Sequence, residues 1–173
     1  MMESDIELRD GRVVTLRSLK ADDKNGLVSM FSSMTNAALE WGMPPYTEEV
    51  VERWIASIQS LISLVAIYDN QIVGYSAIFK HSHPRRLGIG EMGIYIHQDF
   101  HGVGLGTLMT NKVVTVAVEQ GLHRLSLEVV EDNEAAVKLY KKSGFLLEGT
   151  MKDAYFGEDK KYHNTLIMSR ILS

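Results

Sequence analysis

The stretch that decides the fold is His101-Gly102-Val103-Gly104-Leu105-Gly106-Thr107, which joins a short strand to a long helix. We predict the strand over Glu91–His97, where apolar side chains alternate with other residues. We predict the helix from Gly104 to Gln120, because its apolar residues recur at helical spacing and Gly121 follows as a stop. A glycine-rich turn at the start of a helix offers unpaired N–H groups and the positive end of the helix dipole. This arrangement suits a pyrophosphate.

The glycine turn has a simpler interpretation, in which the strand-to-helix connection only needs the backbone freedom of glycine. A second glycine-rich segment, Gly88–Gly93, formally matches a dinucleotide-binding pattern, but it precedes a strand instead of following one. We interpret this second segment as a loop. The Walker pattern is absent, because Lys and Ser or Thr do not follow the last glycine at the required spacing.

Hydrophobic periodicity predicts the order strand, helix, helix, three strands, helix, strand, helix and two strands. Asp69-Asn70 favours a tight hairpin turn, and Asn36–Tyr46 is predicted to be a loop. The strands on either side of the Gly104 helix should be parallel neighbours through a right-handed crossover. We therefore predict an α/β (α+β) fold with a mixed, mostly antiparallel twisted sheet and helices on both faces. Strands are expected near 13–17, 63–68, 71–79, 91–97, 124–130, 145–151 and 162–172.

Length and composition indicate one domain over residues 1–173, because 45% hydrophobic and 23% charged residues are typical of a globular chain of this size. A net charge of −4 disfavours a nucleic-acid partner. The absence of cysteine excludes disulfides, a thiolate nucleophile and a zinc-thiolate site, and it fits a reducing, cytoplasmic setting. The longest apolar stretch, Ile58–Tyr68, is too short to span a bilayer and no export signal is visible, so we expect no membrane partner.

Five motifs in succession resemble the GNAT family of N-acetyltransferases. They are Glu91–His97, Phe100–Gly106, Leu125–Val129, Asn133–Tyr140 and Ser143–Phe145. The resemblance runs in order from about residue 13 to residue 172, and the succession is far more specific than any one motif. It implies the GNAT fold and an acetyl-CoA-dependent N-acetyltransferase, with acetyl-CoA as co-substrate and no metal.

The resemblance also implies a cofactor site. In the family, the glycine turn holds the pyrophosphate of acetyl-CoA, the preceding strand offers backbone groups to the pantetheine arm, and an Asn and a Tyr of the later helix face the thioester. The family's turn usually begins with Gln or Arg, so His101 in that place weakens the side-chain contribution to phosphate binding. The implied cofactor-binding residues are Ile94, Tyr95, Ile96, His101, Gly102, Val103, Gly104, Leu105, Gly106, Thr107, Asn133, Ala136 and Tyr140.

Acetyl transfer to an amine needs a base for the ammonium, a donor for the carbonyl oxygen and a proton for the leaving thiolate. Tyr140 is the best proton donor, because a phenol donates at neutral pH. The same residue could instead be a core aromatic, since Ala136, Val137 and Tyr140 share one helical face. The family pattern favours Tyr140 as the acid.

Two carboxylates are candidates for the base, Glu128 and Glu91, because both interrupt apolar surroundings. Glu128 matches a glutamate that some N-terminal protein acetyltransferases use as base, whereas Glu91 could instead bind the acceptor ammonium. Each carboxylate could also be paired with a Lys or Arg. His97, at a strand end, is a third candidate base, but a histidine there is more often a solvent-facing residue.

The acceptor pocket is implied more weakly. Trp41, Glu91 and Tyr155 are the predicted acceptor-binding residues, with Tyr46 and Phe156 as further aromatic candidates, and each aromatic could equally be plain packing. Asn133 suits a helix N-cap and could also contact CoA. Free amino acids, protein N-termini and other small amines all remain open as acceptors. A homodimer is compatible with the sequence.

Two other functions fit the same residues. A non-catalytic acyl-CoA-binding domain would share the fold, but the presence of Tyr140, Glu128 and Glu91 disfavours it. A regulatory module could use the glycine turn for a nucleotide.

Overall fold

The computed structural model describes residues 3–172, which build one eight-stranded sheet with the order β1-β2-β3-β4-β5-β6-β8-β7. The strands are β1 (Ser4–Glu7), β2 (Val13–Ser18), β3 (Leu61–Tyr68), β4 (Gln71–Lys80), β5 (Ile89–Ile96), β6 (Arg124–Val130), β7 (Leu146–Phe156) and β8 (Tyr162–Ile171). The helices are α1 (Lys24–Ser33), α2 (Asn36–Leu39), α3 (Glu48–Ala56), α4 (Leu105–Glu119) and α5 (Glu134–Lys142).

The fold class predicted from the sequence is confirmed. Strands β5 and β6, on either side of α4, are parallel neighbours, and the other strand pairs in the sheet are antiparallel. The β3–β4 hairpin turns through Asp69 and Asn70, whose φ angles of 48° and 59° lie in the left-handed region that Asp and Asn tolerate.

Four elements differ from the sequence prediction. Strand β5 begins at Ile89 and so includes most of the Gly88–Gly93 segment that the sequence predicts to be a loop. The edge strand β1 was missed, because its four residues carry only one apolar side chain, Ile6. Helix α2 lies in the segment predicted to be loop, where Thr35 Oγ1 accepts a hydrogen bond from Ala38 N at 3.2 Å and so caps this short helix. Strand β7 continues to Phe156, past its predicted end, through an irregularity at which Asp153 has a φ of 51°.

Two hydrophobic layers cover the two faces of the sheet. Helices α4 and α5 pack on one face, where Leu105, Met109 and Leu125 are fully buried. Helices α1 and α3 pack on the other face around Leu27 and Val51. Within residues 3–172, no helix has both the length and the apolar character that crossing a membrane requires.

The parallel pair β5–β6 is short, and this opens the sheet. Its register joins Ile89–Glu91 to Arg124–Ser126 and goes no further, although β5 continues to Ile96 and β6 to Val130. The second half of each strand is therefore unpaired on the side that faces the other strand. The candidate site lies in this opening.

Candidate active site

A cavity of about 900 Å³ runs between the separated halves of β5 and β6. The segment around α2 lines one end of it, and the glycine turn with the first turns of α4 and α5 lines the other. The cavity thus passes from one face of the sheet to the other.

The glycine turn forms an open backbone cradle at one end. Gly102 and Gly104 have φ angles of +74° and +95°, which L side chains rarely adopt, and Gly104 is the N-cap of α4 without a side-chain cap. A Cβ on Gly102 would meet no atom within 4 Å, so the space in front of it is free. This geometry leaves the first N–H groups of α4 available to an anion.

Three cations border this end of the cavity, namely Arg9, Lys138 and Lys142. The backbone N–H of Arg9 donates to Val103 O at 3.1 Å, which places the β1–β2 hairpin against the glycine turn. A Cβ added to Gly104 would lie 3.4 Å from Arg9 Nε, and the Arg9 guanidinium has no ion pair within residues 3–172. Sequence reasoning missed Arg9, because only the pairing of β1 with β2 brings it to the turn.

His101 lies on the cavity wall, but its ring is turned back onto the strand. Its Nε2 donates a hydrogen bond to the Ile96 carbonyl oxygen at 2.8 Å. The ring therefore holds the end of β5, and Arg9 is the better-placed cation for a phosphate.

Most of the predicted cofactor residues line the cavity, and two do not. Leu105 is fully buried in the core and Val103 packs against it, so these two can contribute only backbone groups. Gly106 serves packing as well, because a Cβ there would lie 2.6 Å from Leu139 Cδ1 on α5. Those that line the cavity are Ile94, Tyr95, Ile96, His101, Gly102, Gly104, Gly106, Thr107, Asn133, Ala136 and Tyr140.

Asn133 caps α5, since its Oδ1 accepts a hydrogen bond from Ala136 N at 3.2 Å. It also lines the cavity. Asn133 is therefore the N-cap that the sequence predicts. Because it also lines the cavity, it can contact the cofactor as well.

Tyr140 lines the cavity. Its ring packs edge-on against Phe145 at 5.8 Å between centroids, and only 6% of the residue is exposed. Burial raises the pKa of Tyr140 to about 12, so the phenol stays protonated at neutral pH. No hydrogen bond joins its hydroxyl to any residue in the range 3–172. The hydroxyl is thus a free donor on the cavity wall.

The two candidate bases occupy different places. Glu128 lines the cavity on β6 and has no ion pair with any described residue. Glu91 does not line the cavity; its Oε1 lies 3.0 Å from His81 Nε2 and 3.5 Å from an Arg86 guanidinium nitrogen. The structure therefore brings Glu128 to the site and leaves Glu91 outside, as one half of a surface ion pair.

Glu128 shares its face of the sheet with a buried hydroxyl. In the β6–β8 register Glu128 pairs with Ile167 and Val130 pairs with Thr165, so all four side chains are on one face. Thr165 is 2% exposed and lines the cavity, yet its Oγ1 has no hydrogen-bond partner among the described residues. A buried hydroxyl without a partner is costly and is ready to bind a ligand or water.

The aromatic residues at the α2 end are held in place by hydrogen bonds. Tyr46 Oη accepts from Met43 N at 2.6 Å and donates to Tyr95 Oη at 3.1 Å, and no described residue accepts the Tyr95 proton. Burial raises the pKa of Tyr95, so it too stays protonated. Trp41 and Tyr155, both predicted for the acceptor site, line this end with centroids 6.1 Å apart. Of the further aromatic candidates, Phe156 stays 54% exposed and does not line the cavity.

An ion-paired histidine, His163, packs against Trp41 at the α2 end of the cavity. His163 contacts Asp132 through Nδ1 and Asp159 through Nε2, and hydrogen bonds to these two carboxylates raise its pKa. The Trp41 ring packs edge-on against the imidazole at 5.1 Å. The cluster ties the β7–β8 turn to the residue before Asn133. Sequence reasoning missed it, because its members are far apart in the chain.

His97, the third candidate base, lies at the end of β5 outside the cavity lining. Its Nε2 is 3.2 Å from Ser33 Oγ. In the range 3–172, no three His, Asp or Glu residues are grouped closely enough to hold a metal ion.

Comparison with known proteins finds acetyltransferases. A family model described as "Acetyltransferase (GNAT) family" matches residues 27–145. The L-amino acid N-acetyltransferase AaaT of Escherichia coli (strain K12) is 27% identical over 130 residues, which is 75% of this chain and 80% of the relative.

Solved structures agree as well. The acetyltransferase of the GNAT family from Streptococcus pneumoniae superimposes with a TM-score of 0.79 at 26% identity and covers 92% of this chain and 99% of its own. The Salmonella typhimurium protein yncA, solved with its cofactor acetyl-CoA, has a TM-score of 0.78 at 20% identity over 92% of this chain and 94% of its own, which shows a shared fold.

Proposed function

The chain belongs to the GNAT acetyltransferase family and is an acetyl-CoA-dependent N-acetyltransferase, and from that premise we propose how its residues divide the work of direct acetyl transfer to a primary amine. The proposal covers one domain over residues 1–173. The observation that carries it is that one cavity holds both Tyr140, with a free hydroxyl, and Glu128, with an unpaired carboxylate. The enzyme needs no covalent intermediate, because the amine itself is the nucleophile.

The glycine-turn end fits the phosphates of acetyl-CoA. The free space in front of Gly102, the first N–H groups of α4 and the unpaired Arg9 guanidinium together offer donors and positive charge. Lys138 and Lys142 add charge at the same rim. Bound there, acetyl-CoA supplies the activated acetyl group, and the open edge of β5 offers backbone groups to its arm.

Glu128 acts on the acceptor. Its carboxylate takes the proton of the incoming ammonium, directly or through a water held by Thr165 Oγ1, so that the nitrogen lone pair can attack the acetyl carbonyl. The pocket is open enough at this carboxylate to admit an amine. Glu91 is not part of this step.

Tyr140 acts on the leaving group. As the C–N bond forms and the C–S bond breaks, the Tyr140 hydroxyl gives its proton to the departing thiolate of CoA, and the second proton that the nitrogen loses as it becomes the amide restores the Tyr140 hydroxyl through water. Its raised pKa keeps that proton in place until negative charge develops on sulfur. Tyr95 Oη, with its free proton, serves as a donor for the developing charge on the carbonyl oxygen.

We further propose that the enzyme works in the cytoplasm, without a metal, nucleic acid or membrane partner. The absence of cysteine and the net charge of −4 support these points. A homodimer stays a prediction, which light scattering of the purified protein will check.

The experiment is a turnover screen with acetyl-CoA and amines of several classes, in which released CoA is measured and the product mass is confirmed. We expect a product heavier by one acetyl group. CoA binding without turnover for any amine would favour the non-catalytic binding domain. Thermal shifts with acetyl-CoA, ATP and NAD test the nucleotide module, which requires that ATP or NAD stabilise the fold more than acetyl-CoA does.

A further inference from the structure

Charge is distributed unevenly along the cavity. The lining cations, Arg9, Lys138 and Lys142, all belong to the β1–β2 hairpin or α5, which meet at the glycine turn. At the other end, the charged lining residues within 3–172 are Glu40 and Glu128. One end therefore suits phosphates and the other suits cations.

Hydrogen bonds hold the backbone at the acidic end in place. Tyr155 Oη lies 2.9 Å from the Glu40 carbonyl oxygen and 2.8 Å from that of Gly42, which ties the segment after α2 to β7. This tie holds the segment that carries Trp41 beside Tyr155, and both aromatic rings line the cavity at this end. Aromatic faces attract ammonium groups, and carboxylates do so more strongly.

Among the lining residues within 3–172, a carboxylate on the acceptor would find no cation at this end, and the nearby His163 is already paired with Asp132 and Asp159. The arginines of the Pro84–Arg86 turn could have supplied one, but that turn is outside the cavity lining and Arg86 is paired with Glu91. An acceptor carboxylate would instead face Glu40 and Glu128, and like charges repel.

We propose, building on the proposed function, that the acceptor is an aliphatic diamine or polyamine that carries no carboxylate. One ammonium reacts beside Glu128, and a second ammonium binds at Glu40 and the Trp41 and Tyr155 rings. This separates the chain from its amino-acid-acetylating relative at the level of substrate class.

The test compares three acceptors that differ by one group: cadaverine, lysine and pentylamine. Lysine is cadaverine with a carboxylate, and pentylamine is cadaverine without its second ammonium. We expect kcat/KM for cadaverine to exceed that for each of the other two by about tenfold or more. Lysine, or the amino group of a short peptide, reacting as well as cadaverine would overturn the inference while leaving acetyl transfer intact.

A variant tests whether Glu40 binds the second ammonium. Glu40→Gln should reduce the preference for cadaverine over pentylamine by about tenfold, with the CoA dissociation constant unchanged. Glu119→Gln, an exposed carboxylate on α4 away from the cavity, is the matched control and should keep the preference. An unchanged preference in Glu40→Gln contradicts the assignment. If no amine releases CoA from the wild type, the proposed function itself fails.

Discussion

The two ends of the cavity recognise their ligands by different means. The glycine-turn end relies on backbone, with left-handed Gly102 and Gly104 in front of the α4 N-terminus. The acceptor end relies on side chains, with Glu40 and Glu128 beside a set of fixed aromatic rings. Backbone donors can bind a phosphate whichever side chains surround them. The side chains of the acceptor end lie on separate elements, so each can be substituted without replacing the others.

Cofactor binding should therefore depend on the glycine-turn end, and chemistry and acceptor specificity on the rest of the cavity. Loss of a side chain at the glycine-turn end should weaken CoA binding only in part, because the N–H groups remain. Loss of a side chain between the two ends, or at the acceptor end, should change chemistry or specificity while CoA binding stays the same. Four experiments test this division, in order of decreasing expected effect.

The largest effect is expected at the junction of the two ends. Tyr140→Phe keeps the ring on Phe145 but removes the only proton that it can donate, so kcat should fall by about 10² to 10⁴. Calorimetric titration should show an unchanged CoA dissociation constant. A wild-type kcat with chemistry rate-limiting would mean that the thiolate takes its proton from elsewhere.

The second-largest effect on kcat is expected for one of the two candidate bases and not for the other. Glu128→Gln should lower kcat by about 10²-fold and remove the acidic limb of the pH–rate profile, because the group that must be ionised is gone. Glu91→Gln should leave both nearly unchanged, since Glu91 only pairs with His81 and Arg86 outside the cavity. If Glu91→Gln instead abolishes the acidic limb, Glu91 is the base.

A smaller effect is expected at the glycine-turn end. Arg9→Gln should raise the CoA dissociation constant by about tenfold and reduce its dependence on salt, because one charge-assisted contact is lost while the backbone cradle stays. Arg85→Gln, an exposed arginine off the cavity, is the control. His101→Gln should have a weaker effect than Arg9→Gln, since the His101 ring binds the Ile96 carbonyl. The reverse ranking would assign the phosphate contact to His101.

The smallest effect concerns the support of the acceptor end. Hydrogen bonds to Asp159 and Asp132 raise the pKa of His163 above its unfolded value of about 6.5. The stabilisation is therefore complete below about pH 6.5 and is lost as the pH rises through the folded pKa. The melting temperature of wild type should exceed that of His163→Gln at about pH 5.5, and the difference should shrink by about pH 9.

His81→Gln is the control, because it removes a different histidine, the one that pairs with Glu91 outside the cavity. A difference between wild type and His163→Gln that is the same at both pH values would show that the imidazole packs without its charge.

The contrast between local backbone features and side chains from separate elements also explains which parts of the site could be predicted from the sequence. The glycine turn, the α4 N-terminus and the Asn133 cap are local, because each depends on residues within a few positions, and all three could be located from the sequence. The neighbourhood of Arg9 could not, because a strand pairing creates it.

Glu91 and Glu128 show the limit most clearly. Both interrupt apolar strands, and their strands are neighbours in the sheet. Only the fold of the connection before β5 brings His81 and Arg86 to Glu91, while Glu128 lines the cavity. Periodicity along a strand shows that a side chain breaks the apolar pattern, but it does not show what the side chain meets on its face of the sheet.

The most direct test of the division of the cavity is a crystal structure with acetyl-CoA bound. We expect the pyrophosphate against the N–H groups that follow Gly102 and Gly104, with the Arg9 guanidinium in contact with a phosphate oxygen. We expect the thioester sulfur within hydrogen-bonding reach of Tyr140 Oη and the acetyl group directed toward Glu128. Acetyl-CoA bound with its phosphates away from the glycine turn, or with its thioester away from Tyr140, would contradict the proposed division of the cavity.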